Sequence, residues 1–152
     1  MHMELSVVVD RPLAEVVAWA SDFPFHLPRL GGGTLSLRQT SPGPPDLGST
    51  LVSRLAILGL ELQISGSITE WDWPHGAVFS FSGAGIRSGS VRVTMEATPE
   101  GTKLTRSVDL EPKRAYRLLW WIAWPFMKRR SEAGNRRLKR LLEARATEPG
   151  ES

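Results

Sequence analysis

The sequence predicts an α+β domain: a curved antiparallel sheet of six to seven strands wrapped around one long C-terminal helix, with two short helices after the first strand. Two observations lead there. Between residues 35 and 111, segments of alternating apolar and polar residues follow one another, separated by Gly- and Pro-rich turns. Consecutive strands with tight connections form an antiparallel meander. From residue 113 the composition becomes helical as far as residue 145, which makes about 50 Å of helix at 1.5 Å per residue. A sheet of this size curls, and its apolar face must be covered. The terminal helix is the element large enough to do it.

The elements follow in order. Residues 3–9 alternate around Leu5, Val7 and Val9, as a half-buried strand does. Asp10-Arg11-Pro12 then starts a helix, an Asp cap with Pro close behind, whose Val16, Trp19 and Ala20 share a face. Residues 21–34 hold two prolines and a triple glycine and leave room only for a short helical turn or two. Strands are expected at 35–40, 49–58, 60–72, 77–83, 89–98 and 102–111. Gly59, the Trp73–Gly76 turn, Gly83–Gly89 and Pro99–Gly101 supply the connections, and residues 41–48 form a loop. Pro125 falls inside the long helix and should kink it. Residues 1–146 read as one domain, with 147–152 as a frayed tail.

The bulk numbers exclude several classes. The chain has 152 residues and no cysteine, so disulfides, thiolate nucleophiles and cysteine-bound metals are out. The N-terminal segment is too short and too alternating for a secretory signal. The longest uncharged apolar run, Leu118–Met127, has ten residues, against about 20 for a membrane span. A cytoplasmic, soluble protein is therefore expected. The net charge of +3 is unevenly spread: residues 113–145 carry eleven Lys/Arg and two Glu, a net +9, and the remainder is −6. A solvated basic helix face is the simplest account, with an anionic membrane, an acidic partner or nucleic acid as alternatives.

The opening strand and helix (VVVDRPLAEVVAWASDF, 7–23), the strand, Trp-Asp-x-Pro turn and strand (GSITEWDWPHGAVFSFS, 66–82) and the last strand (GTKLTRSVDLEP, 101–112) carry a resemblance over nearly the whole chain. Together they resemble the helix-grip superfamily (SRPBCC) of polyketide cyclases and dehydrases, START-type lipid-transfer domains and pollen-allergen-like proteins. The resemblance implies binding of a hydrophobic small molecule or lipid in an internal cavity. Some members of that superfamily are enzymes and many are carriers.

No catalytic motif stands out. His2, His26 and His75 are far apart and form no metal-binding pair. There is no nucleophile elbow, phosphate loop or dinucleotide fingerprint. Neither metal nor cofactor is expected. More informative are polar residues in apolar phase. Arg106 alternates with Leu104, Val108 and Leu110, and Glu70 with Leu62, Ile64 and Ile68. An inward Arg needs a partner, either Glu70 or a polar ligand group, unless it lies at a strand end and snorkels to water. Phe79 and Phe81 are assigned inward. Trp120, Trp121 and Trp124 crowd a segment that is apolar all round. The cavity candidates are Leu62, Ile64, Glu70, Phe79, Phe81, Val93, Leu104, Arg106, Trp121 and Ile122.

Binding or carriage of an apolar ligand without catalysis is the leading expectation. The alternative is a cyclase- or dehydratase-like enzyme using Glu70, His26 or the out-of-phase Asp109 as acid or base. A nucleic-acid module ranks last, because the aromatics are not interleaved with the basic residues. Trp120, Trp124, Lys128 and Arg129 are expected to form a surface for a second copy of the chain or for an anionic membrane.

Overall fold

The computed structural model describes residues 1–21, 34–57, 59–73 and 75–144. Strand β1 (His2–Val9) leads into helix α1 (Leu13–Ala20). Six strands follow: β2 (Thr34–Gln39), β3 (Thr50–Ile57), β4 (Leu60–Asp72), β5 (Gly76–Gly83), β6 (Ile86–Thr98) and β7 (Gly101–Pro112). A 3₁₀ turn at Arg114–Tyr116 opens the long helix α2 (Arg117–Ala144), which runs through Pro125. The second short helix expected within 21–34 falls on residues outside the described ones.

All seven strands form one antiparallel sheet, in the order β1-β7-β6-β5-β4-β3-β2. The meander from β2 to β7 thus ends by pairing its last strand with the first strand of the chain. The register sets rows of side chains across the concave face, since directly opposed residues point the same way. One row runs Gly66, Phe81, Gly89, Leu110. The next runs Ile68, Phe79, Val91, Val108, Met3. A third runs Trp71, Ala77, Val93, Arg106, Leu5.

Two local departures from the expected pattern have physical causes. The Gly83–Gly89 loop contracts to a two-residue turn at Ala84-Gly85, with φ of 55° and 78°, and β6 resumes at the buried Ile86. Gly89 sits inside the strand because the Phe81 ring occupies the space above it. A Cβ there would lie 2.5 Å from a ring carbon, so glycine marks a close approach and not a loop. In β4 an irregularity between Ile68 and Glu70 leaves Thr69 as an extra residue. A bulge inserts one residue and reverses the alternation beyond it. Trp71 and Trp73 therefore turn inward, stacked at 5.3 Å, and Glu70 turns outward.

Helix α2, with 28 residues, is about 42 Å long, close to the roughly 40 Å of a 12-residue strand. It is pinned at both ends of the sheet. Near its start the Trp120 indole N–H donates to the carbonyl of Ala84 at 3.2 Å. Near its end Lys139 Nζ donates to the Val8 carbonyl at 2.6 Å and to Glu143 Oε1 at 2.9 Å. Glu143 Oε1 in turn accepts from the Asp10 backbone N–H at 3.0 Å. Each end has its own apolar cluster. Trp120 and Ala123 pack with Ile64, Phe81, Ile86 and Leu110. Leu138 and Leu142 pack with Val9, Val16, Ala20, Met95 and Leu104.

Candidate functional site

Between the two clusters the helix does not fill the sheet. Its sheet-facing positions from Ala123 to Leu138 include Met127 and then Ser131, Gly134 and Asn135, the last three small or polar where a filled core would place Leu or Phe. The result is a cavity of about 300 Å³, at the lower end of the range for small-molecule sites, roughly 300–1,000 Å³. Its floor is the second and third rows of the sheet, and Trp19, Ala20 and Trp73 stand at its side.

Six of the ten residues singled out from the sequence line this space: Ile64, Phe79, Phe81, Val93, Leu104 and Arg106. The other four do not. Leu62 packs beside the Trp120 cluster. Glu70 is carried to the outer face by the bulge, where its carboxylate meets Arg92 at 3.0 Å across Val78. Trp121 and Ile122 are 70% and 45% exposed. One residue turns a helix by about 100°, so with Trp120 facing the sheet at 1% exposure, Trp121 must face away.

The same reversal corrects the surface group. Trp120 is buried and Trp124 half-buried, so neither makes the exposed face; Leu118, Trp121, Ile122 and Phe126 make it, with Lys128 and Arg129 exposed beyond them. Sequence reasoning missed Trp71, Trp73, Trp120, Met127, Ser131 and Asn135. Counting back in threes and fours from Leu142 and Leu138 reaches 134/135, 131, 127, 124 and 120. That was the available signal, hidden because 118–127 is apolar on every side.

Arg106 supplies the electrostatics. Its neighbours in the row are Val93 and Leu5, its Nε is buried without a hydrogen-bond partner, and burial holds its pKa below the ordinary guanidinium value. An Arg keeps its proton in any case, so the cavity wall carries a permanent cation. No Asp, Glu or His is among the described residues that line it. Of the acid–base candidates, Asp109 lies exposed on the outer face beside His2 at 2.7 Å, and His26 lies outside the described residues. Among the described residues no group of His, Asp and Glu could hold a metal ion, and no helix is long and apolar enough to cross a membrane.

A seven-stranded antiparallel sheet gripping a C-terminal helix over an apolar cavity defines the helix-grip class. Residues 1–143 match the family model described as polyketide cyclase / dehydrase and lipid transport, and the chain belongs to that family. Solved structures share the fold at low identity. A Thermus thermophilus protein, TTHA0849, superposes with a TM-score of 0.77 at 15% identity, over 97% of this chain and 100% of that one. The Zhui aromatase/cyclase from Streptomyces sp. R1128 gives 0.76 at 12% identity, over 99% and 98%. A START superfamily protein from Mycobacterium smegmatis gives 0.66 at 16% identity, over 95% of each chain. No curated protein matches the chain in sequence.

Proposed function

We propose that this chain binds and carries a hydrophobic small molecule or lipid in the central cavity, with residues 1–146 acting as one ligand-binding domain. The observation that carries this reading is the unfilled interval between two well-packed clusters. The helix is anchored at both ends, and the space between them is walled chiefly by Ile, Val, Leu, Phe and Trp. Four of the six tryptophans, Trp19, Trp71, Trp73 and Trp120, line the space, so tryptophan fluorescence reports directly on its contents. An uncharged apolar probe such as N-phenyl-1-naphthylamine should quench that emission saturably, at one probe per chain. A linear, unsaturable response would overturn the carrier reading.

A cyclase- or dehydratase-like activity in the same cavity would need a proton donor or acceptor near neutral pH. Arg106, Ser131 and Asn135 can orient and polarise a carbonyl there. None of them exchanges a proton in that range, and His26, the candidate left from the sequence, lies outside the described residues.

The exposed face at Leu118, Trp121, Ile122 and Phe126 fits an anionic bilayer. Indole and aliphatic groups sit at headgroup depth while neighbouring cations add attraction. A second copy is disfavoured because it would bring two helices of net +9 together. Flotation with phosphatidylserine-containing vesicles should recover the protein at low salt and lose most of it at high salt. Trp121→Ala should abolish flotation. A protein that ignores such vesicles at both salts would contradict this reading.

A further inference from the structure

Arg106 stands in a row of Trp71, Ala77, Val93 and Leu5, and its chemistry is out of place in every direction along it. It lies mid-strand in β7, which spans Gly101–Pro112, and its Nε is buried without a partner. No ion pair reaches it among the described residues, and Glu70 is engaged with Arg92 on the opposite face. Two more polar side chains enter the same space from the helix, Ser131 and Asn135, one turn apart. Neither has a side-chain hydrogen bond within the described residues. A buried cation without a counter-charge is costly, and removing it in favour of an apolar side chain is often neutral or stabilising. Its presence therefore calls for a use.

We propose that the ligand is an amphiphilic monocarboxylic acid whose carboxylate is received by the Arg106 guanidinium inside the cavity. Ser131 and Asn135 add hydrogen bonds from the helix, and the apolar body lies along Phe79, Val91 and Val93. This rests on the carrier reading and adds to it the chemical class of the ligand. The planar guanidinium fork matches a carboxylate in two parallel N–H···O bonds. One cation with two neutral partners balances a monoanion. A phosphate monoester, carrying about two charges, would leave excess charge buried, and a neutral carbonyl would leave the cation uncompensated.

Displacement of N-phenyl-1-naphthylamine by decanoate and by decan-1-ol separates the two claims. The two competitors share a chain and differ in charge. At about pH 8, where the acid is ionised, the wild-type protein should bind decanoate about 10- to 100-fold more tightly than decanol, the span of a hydrogen bond to a charged group. Arg106→Met should bring the decanoate-to-decanol affinity ratio down to about one, in a protein whose thermal midpoint shows it folded. If Arg106→Met does not fold, the wild-type preference itself decides: it should fade as pH falls through the carboxylate range, near pH 4. Dye and decanol binding with no preference for decanoate, or a preference that survives Arg106→Met, would overturn the inference and leave the carrier reading intact. Failure of the dye and decanol to bind at all would overturn both.

Discussion

Ala84 shows how a single residue can be held against its own preference. Among the described residues it is the one non-glycine with positive φ, at 55°, a conformation that costs an L-residue roughly 1 kcal/mol. The turn needs it, because a two-residue hairpin loop of the type I′ kind, with positive φ at both Ala84 and Gly85, matches the twist of the strands. The Trp120 indole then ties the Ala84 carbonyl to the helix. Ala84→Gly relieves the strain and keeps that carbonyl, so the urea midpoint should rise by the equivalent of about 1 kcal/mol; a fall would contradict the turn geometry. Gly85 beside it admits no side chain, since a Cβ there would lie 2.3 Å from the Tyr116 ring. Residue-scale legibility was uneven for a related reason. Arg106 could be placed from its phase with Leu104, Val108 and Leu110. Glu70 could not, because apolar alternation is blind to one extra residue. The sign of the bulge was the change of phase from Ile64 and Ile68 to Trp71 and Trp73.

At the scale of elements, α2 is a clamp more than a lid. Its C-terminal anchor links Lys139, Glu143, Val8 and the Asp10 N–H. The Glu143 carboxyl is held below its ordinary pKa of 4.5, first by the hydrogen bond from Lys139 and then by that from the Asp10 backbone. A carboxylate with a depressed folded pKa stabilises the fold above its unfolded pKa, and that contribution is lost as pH falls through the folded value. Wild type and Glu143→Gln should therefore differ in thermal midpoint above pH 4.5 and converge in more acidic solution. Curves that keep a constant separation across the whole range would show that the Glu143 charge contributes nothing to the anchor. The helix itself was legible from composition. Its orientation was not, because Leu118 to Met127 offers an apolar residue to every side. Only the C-terminal half, where Leu138 and Leu142 stand among charges, fixes which way Trp120 points.

The whole molecule is a sheet and a helix joined at two ends and held apart in the middle. The antiparallel meander, the return of β1 to β7 and the covering helix follow from alternation and turn chemistry that the sequence displays openly. The empty middle does not. It depends on small and polar residues in the helix, Ser131, Gly134 and Asn135, lying over the Phe79 and Arg106 rows, a coincidence of two registers that only the fold brings together. Natural cores rarely keep such space without use, and filling it typically stabilises by about 0.5–2 kcal/mol per site. Ser131→Leu combined with Asn135→Leu should accordingly raise the thermal midpoint while closing the cavity. The most direct test of the account is a titration of that double variant and the wild type with N-phenyl-1-naphthylamine, followed by tryptophan emission. Saturable one-to-one binding by the wild type, lost in the more stable variant, is the predicted result. Equal binding by both proteins would contradict the claim that the ligand lies between the helix and the sheet.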